Sequence, residues 1–173
     1  MFQTKKHWHK RIVRSGINTL LPYSKNPPNR VIDRDDILFF DFGPVFEQWE
    51  ADLGRTYVIG NDPHKHRLKE DVEACWALGK EFYYKNQGIT GAELYDHVCS
   101  LANKRSWEFG NEHCGHLIGK FPHERIQGEK TLNYIHPKNH TPMNAPDQFG
   151  DPRAWILEIH FIDKNKKIGG FFE

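Results

Sequence analysis

Asp36-Ile-Leu-Phe-Phe-Asp41-Phe-Gly43, followed by Asp52-Leu-Gly-Arg55-Thr56, is the stretch on which the fold turns. Its apolar run with charged ends reads as a buried strand. Gly43-Pro44 and Gly54 punctuate the chain after it, so Val45 to Ala51 and Arg55 to Ile59 read as two further strands. The unusual feature is the acid at the end of an apolar run, and it recurs. Glu158 is flanked by Trp155-Ile156-Leu157 and Ile159, Glu173 follows Phe171-Phe172, and Asp52 closes the strand around Trp49. Taken singly, each reads as well as a cap, a turn residue or a solvated acid. Taken together they demand compensation, because an unpaired buried carboxylate is costly. Either basic partners or divalent ions would provide it, and Arg55 is the nearest basic residue in these strands. Four carboxylates and a histidine would suit two divalent ions sharing bridging oxygens.

Outward from this core, two helices are expected. The first runs from about Lys65 to Asn86, with Asp62 as cap, Pro63 near its start and Gly88 beyond its end. Leu68, Val72, Cys75 and Phe82 fall on one face. The second begins at the capping box Thr90-Gly-Ala-Glu93 and carries Leu94, Val98 and Leu101 on one side. Leu117-Ile118 is a short apolar piece between histidine-rich segments. Residues 121–153 read as a long irregular stretch holding five prolines, a length that points to a functional or mobile loop. Ala154 to Ile162 and Lys167 to Phe172 read as strands joined by a turn at Asp163-Lys-Asn-Lys166. Residues 1–35 are polar and proline-bearing. The order implies α+β or mixed α/β, with helices backing a mainly antiparallel sheet.

The 173 residues fit one domain. With 24 Lys+Arg against 23 Asp+Glu the net charge is +1, which argues against a nucleic-acid protein or a polybasic membrane anchor. No apolar run reaches the length of a membrane helix, and the first ten residues lack a signal-peptide core. Cys75, Cys99 and Cys114 show no paired spacing and read as free thiols of a reducing cytoplasm. Eleven histidines are the compositional hint of metal or acid–base chemistry.

These motifs resemble the pita-bread metallopeptidases, the family of methionine aminopeptidase, Xaa-Pro aminopeptidase and Xaa-Pro dipeptidase. The step of eleven residues from Asp41 to Asp52 is similar to the family's first ligand pair. Gly115-His116-Leu-Ile-Gly119-Lys-Phe-Pro-His123-Glu124 resembles its ligand histidine followed by a substrate-facing histidine. Ile156-Leu-Glu158 and Gly169-Gly-Phe-Phe-Glu173 resemble the last two ligands. Ser15-Gly-Ile-Asn18-Thr-Leu-Leu-Pro22 resembles the segment that enters the active site. The wording around Asp41 and Arg55-Thr56 is closer to the Xaa-Pro branch.

The resemblance implies a pita-bread domain over 15–173, after an N-terminal polar segment at 1–14. It implies an N-terminal peptide bond hydrolysed by a hydroxide between two divalent ions, manganese favoured, with cobalt, zinc or iron as alternatives. Asp41 would chelate one ion, Asp52 and Glu173 would bridge, and His116 and Glu158 would hold the other. Glu158 would also pass a proton to the leaving amine, and His123 would bind the substrate carbonyl. A peptide substrate and an isologous homodimer are the partners it implies, with no nucleic acid and no membrane.

Three departures stand out. Tyr23 occupies a place where the family often shows a histidine, and a tyrosine cannot act as a near-neutral base. The upstream helical part of the family's catalytic domain is absent from this sequence, and the sequence ends at the last ligand, as expected of a shortened form. Two alternatives therefore stand beside the peptidase: a non-catalytic module binding a peptide or protein, and a lyase or amidinohydrolase. Among other residues, strand alternation places His160 on the face of Glu158, where it would reach substrate or support a ligand. His113 would line the pocket or fix a loop. The run Lys5-Lys-His-Trp-His-Lys-Arg11 reads as solvated, with a nucleic-acid patch or a metal-binding tail as its other readings.

Overall fold

The computed structural model describes residue 4 and residues 6–173. Lys5, at the head of the basic run, lies outside them. The run at residues 5–11, expected to be solvated, contains β1 (Lys6–His7), and β2 (Ile12–Ser15) and a single 3-10 turn (Gly16–Leu20) follow it. The boundary expected between residues 14 and 15 falls inside β2, which pairs antiparallel with β3 (Ile37–Phe42) from Ile12–Asp41 to Ser15–Leu38. Arg14 concealed this strand. It is buried, with its guanidinium donating to the carbonyls of Leu21 and Lys25, so a charge stands where the pattern calls for an apolar residue.

The strand expected over Val45–Ala51 is a hairpin of β4 (Pro44–Phe46) and β5 (Trp49–Glu50). Glu47 adopts a positive φ of 55° in the turn, a conformation that sequence pattern does not announce for glutamate. β4 also pairs with β1. β6 (Leu53–Val58) completes a three-stranded sheet β2-β3-β6 and sets Gly54 opposite Asp41.

Both helices form as their caps predict. α1 spans Pro63–Lys85, its first amides bonded to the Asp62 carboxylate, and α2 spans Gly91–Lys104 behind a complete Thr90–Glu93 capping box. Leu68, Val72 and Cys75 of α1 and Val98 of α2 are fully buried, with Phe82 packed at the edge. Each large apolar side chain in this cluster contributes about 1.5–3 kcal/mol.

The remaining strands are β7 (Glu108–Phe109), β8 (Gly115–Ile118), β9 (Ala154–Leu157), β10 (Ile159–Asp163) and β11 (Ile168–Phe172). The single strand expected over Ala154–Ile162 divides at Glu158. β9 pairs with β8, whereas β10 pairs with β11 and β7. Glu158 is the joint: its amide donates to Cys114 O at 2.9 Å as the strand changes partners. Between β8 and β9 lies the irregular stretch, with one short 3-10 turn at Lys130–Asn133. Thr56 ties the sheet β2-β3-β6 to the sheet of β7, β10 and β11, its hydroxyl donating to Phe171 O and accepting from Phe171 N, both at 2.7 Å. All strand pairs are antiparallel, and α1 packs across β10, β11 and β6, which matches the expected α+β class. Among the described residues, no helix is long and apolar enough to cross a membrane.

Candidate metal centre

Three of the acids read as anomalous, Asp41, Asp52 and Glu158, converge at the wall of one cavity of about 510 Å³, and the fourth, Glu173, lies against Asp52. Asp41 comes from β3, Asp52 from the link between β5 and β6, Glu158 from the joint between β9 and β10, and Glu173 follows β11. Asp41, Glu158 and Glu173 are buried residues, and the Asp52 side chain is 2 % exposed. β3–β6 pairing brings Asp41 near Asp52, and the Glu173 amide donates to Gly54 O at 3.2 Å. Gly54 is required here, because a Cβ would stand 2.3 Å from the Phe171 ring.

Two histidines bracket Asp52. His116 Nε2 lies 3.4 Å from Asp52 Oδ2 and 3.1 Å from Glu158 Oε1. His9 Nε2 lies 3.0 Å from Asp52 Oδ1 and 3.4 Å from Asp41 Oδ1. Two triads of donor atoms result, His9-Asp41-Asp52 and Asp52-His116-Glu158, with the atoms of each within 4.8 Å of one another. His116 Nδ1 faces Leu117 O at 2.7 Å. A carbonyl can only accept, so the proton sits on Nδ1 and Nε2 is left to act as a ligand.

The electrostatics are those of crowded acids. Burial, together with Asp52 and Glu158, pushes Asp41 up to about 7, against the opposing pull of His9. Burial lifts Glu173 well above the usual carboxylate range, and the charges of Asp52, Glu158 and Asp41 add to it. Burial opposes charge on His116 and on His9, yet the carboxylates they face raise both. Glu173 Oε1 is buried without a hydrogen-bond partner. A cluster of carboxylates with an orphaned oxygen fits divalent cations, whose charge would relieve the repulsion.

His123 lines the same cavity. Glu50, missed in the sequence, holds it: Glu50 Oε2 is 2.7 Å from His123 Nδ1, and the His123 amide donates to Oε1 at 3.2 Å. The Glu50 side chain is 1 % exposed. Its position between Trp49 and Ala51 offered no signal beyond one acid in an apolar pattern. His113 reaches Glu158 at 3.8 Å and packs on Tyr134. Tyr23 is half-exposed at the rim, its ring 5.7 Å from that of His9. His160 lines the cavity, but its Nε2 is 2.8 Å from Thr19 O, and burial lowers it to about 4, so it is a neutral donor to that carbonyl. His9 and Trp8 belong to the run expected to be solvated. Instead the His9 side chain is 6 % exposed, and Trp8 Nε1 donates to Ala51 O at 2.9 Å.

The sequence profile of metallopeptidase family M24 matches residues 2–149, a span that holds Asp41, Asp52, His116 and His123. Methionine aminopeptidase 1 of Saccharomyces cerevisiae is 28% identical over 97 residues, 56% of this chain and 25% of that protein. An Xaa-Pro dipeptidase of Pyrococcus horikoshii is 27% identical over 114 residues, 65% of this chain and 32% of that protein. The chain thus spans a quarter to a third of the length of these curated relatives. Among solved structures, a prolidase from Thermococcus sibiricus superposes on 99% of the chain and 42% of its own length, with a TM-score of 0.75 at 22% identity. A methionine aminopeptidase from Rickettsia prowazekii superposes less well, covering 94% of this chain and 67% of its own, with a TM-score of 0.67 at 15% identity. Prolidases and other Xaa-Pro enzymes recur among these matches, and the pita-bread fold is shared with them. The chain belongs to metallopeptidase family M24.

Proposed function

We propose that this chain is a metal-dependent peptidase that cleaves an N-terminal peptide bond, of the Xaa-Pro aminopeptidase or dipeptidase type. The observation that carries this reading is the pair of donor triads sharing Asp52, with the orphaned Glu173 oxygen beside them, at the wall of a cavity sized for a small peptide. Asp41 would hold one divalent cation, His116 and Glu158 the other, and Asp52 and Glu173 would bridge them. Such cations would activate a water for attack and polarise the scissile carbonyl.

The chain's own groups supply the rest. Glu158 accepts the water's proton and delivers it to the leaving amine. His123, its Nδ1 donating to the buried Glu50 carboxylate, would donate from Nε2 to the carbonyl oxygen in its doubly protonated form as negative charge develops there. His116 donates Nδ1–H to Leu117 O, which fixes the ring that carries the ligand nitrogen. His160, neutral and bonded to Thr19 O, shapes the wall and moves no proton.

The test is hydrolysis of Xaa-Pro dipeptides and of longer peptides with proline in the second position, with manganese or cobalt added to the stripped protein. Turnover that disappears in Asp52→Asn supports the reading. Stoichiometric metal uptake with no hydrolysis would favour a peptide-binding module, the alternative that Tyr23 at a usual histidine place recommends. Failure to take up metal would remove the peptidase reading and leave the non-catalytic module.

A further inference from the structure

Of the residues around the cavity, His9 has no role in the proposed mechanism, yet it is built into the centre as His116 is. Each ring presents Nδ1 to the carbonyl of its own following residue, His9 to Lys10 O and His116 to Leu117 O, both at 2.7 Å. Each Nε2 faces one oxygen of Asp52 and one further carboxylate, Asp41 for His9 and Glu158 for His116. Two donor atoms bound to one cation at about 2.1 Å each, at right-angled to tetrahedral geometry, stand roughly 3.0–3.4 Å apart. The distances from His9 Nε2 to Asp52 and Asp41, 3.0 and 3.4 Å, fall in that interval.

The segment carrying His9 is anchored after it by β2, paired with β3, and before it by Trp8 and β1. Trp8 donates from its indole to Ala51 O and from its amide to Gly43 O, both at 2.9 Å, and β1 pairs with β4. The neighbouring chain leaves room for the ring only because residue 43 is glycine. A Cβ there would lie 2.2 Å from His9 Cδ2 and 2.6 Å from Trp8 Nε1. A solvated basic tail would need neither the anchor nor the space.

We infer that His9 is a metal ligand, joining Asp41 and Asp52 to give the second half of the centre its own imidazole. This rests on the metal-centre reading of the proposed function and extends it. Each half-site then holds one nitrogen donor, the first through His116 and the second through His9. A nitrogen in place of an oxygen raises the affinity of that half-site for cobalt and zinc over manganese. The oxygen-rich ligation that favoured manganese is thereby shifted toward the later metals.

The test uses the full chain, stripped of metal and titrated with cobalt, zinc or manganese by calorimetry, with cobalt followed by its visible absorption. X-ray absorption of the wild-type protein carrying two cobalt ions should count an average of about one imidazole per ion. A value of about one half would mean that His116 alone ligates, and would overturn the assignment while leaving the two-metal centre standing. Since this measurement is made on the native sequence, misfolding of a variant cannot obscure it. In His9→Ala, one of the two binding steps should weaken about tenfold or more, and more for cobalt and zinc than for manganese. Gly43→Ala, which must displace the ring, should weaken the same step. Both steps unchanged within about twofold in both variants would overturn the role of His9. No metal uptake by the wild type would overturn this inference together with the reading beneath it.

Discussion

Asp36 and Asp41 flank the same apolar run, and both are buried, with 6% and 7% exposure. Their surroundings are opposite. Asp36 receives two nitrogens of the Arg30 guanidinium at 2.9–3.2 Å and the Asp33 amide at 2.8 Å. Asp41 faces Asp52, Glu158 and Glu173, with His9 as its close cationic neighbour. The first acid is satisfied by its own neighbourhood and serves as a structural anchor at the strand start. The second is left with repulsion that the protein alone does not relieve. Local sequence makes them look alike; their partners make one a cap and the other a candidate ligand.

The sharpest way to break this contrast is Asp52→Asn, which removes the carboxylate shared by both triads. Hydrolysis should fall at least about a hundredfold and metal stoichiometry should drop, while the stripped variant should be modestly less stable than the stripped wild type, because the bonds from His116 and His9 hold Asp52 charged despite its burial. Activity assays, metal analysis and urea melts check the three parts. Retained metal with lost stability would make Asp52 a structural acid like Asp36.

A pH series on the metal-stripped protein sharpens the same point. Asp41 is raised to about 7, so between its ordinary value of 3.8 and 7 the folded chain binds more protons than the unfolded one. Asp41 therefore makes stability fall as pH rises through that window, by at most about 1.4 kcal/mol per pH unit, against the opposite contributions of Asp52, which burial raises but His116 and His9 hold low overall, and of His160, lowered by burial to about 4. Glu173, His9 and His116, also raised, act in the same direction. Adding cobalt or zinc should flatten the slope and raise the melting temperature. An identical slope with and without metal would sever the link between the acids and the cations.

Asp36→Asn tests the other side. It breaks a largely buried ion pair, but the Arg30 side chain is 32% exposed, so the loss should be about 1–3 kcal/mol rather than more. The urea midpoint should fall while metal stoichiometry holds. Smaller still, Glu50→Gln should lower kcat about tenfold with KM little changed, because it loosens His123 without touching the carboxylate cluster. Loss of metal in that variant would place Glu50 among the ligands.

The helices were legible because their signals are local. Asp62 with Pro63, and Thr90 with Glu93, act within one turn. Legible too were the acids, since each interrupts an apolar run, and resemblance put them in order. Three features were not. Glu158 breaks a continuous apolar pattern into two strands because the chain changes partners there, which no periodicity records. Glu50 looks like one acid in a mixed stretch, and only the approach of His123 gives it a task. His9 sits in a run whose charge suggested solvent, and its burial comes from strands β3 and β6, which place Asp41 and Asp52 against it.

What the sequence alone determined is the inventory: helices stopped and started by their caps, apolar strands ending in acids, and the order of a family's ligands. The tertiary structure decided which acids are paired and which are opposed, and which histidines join them. The physical reason is range. Caps and periodicity act over a few residues, whereas the cost of a buried charge depends on every group within a few ångströms, and the chain brings those together only when it folds.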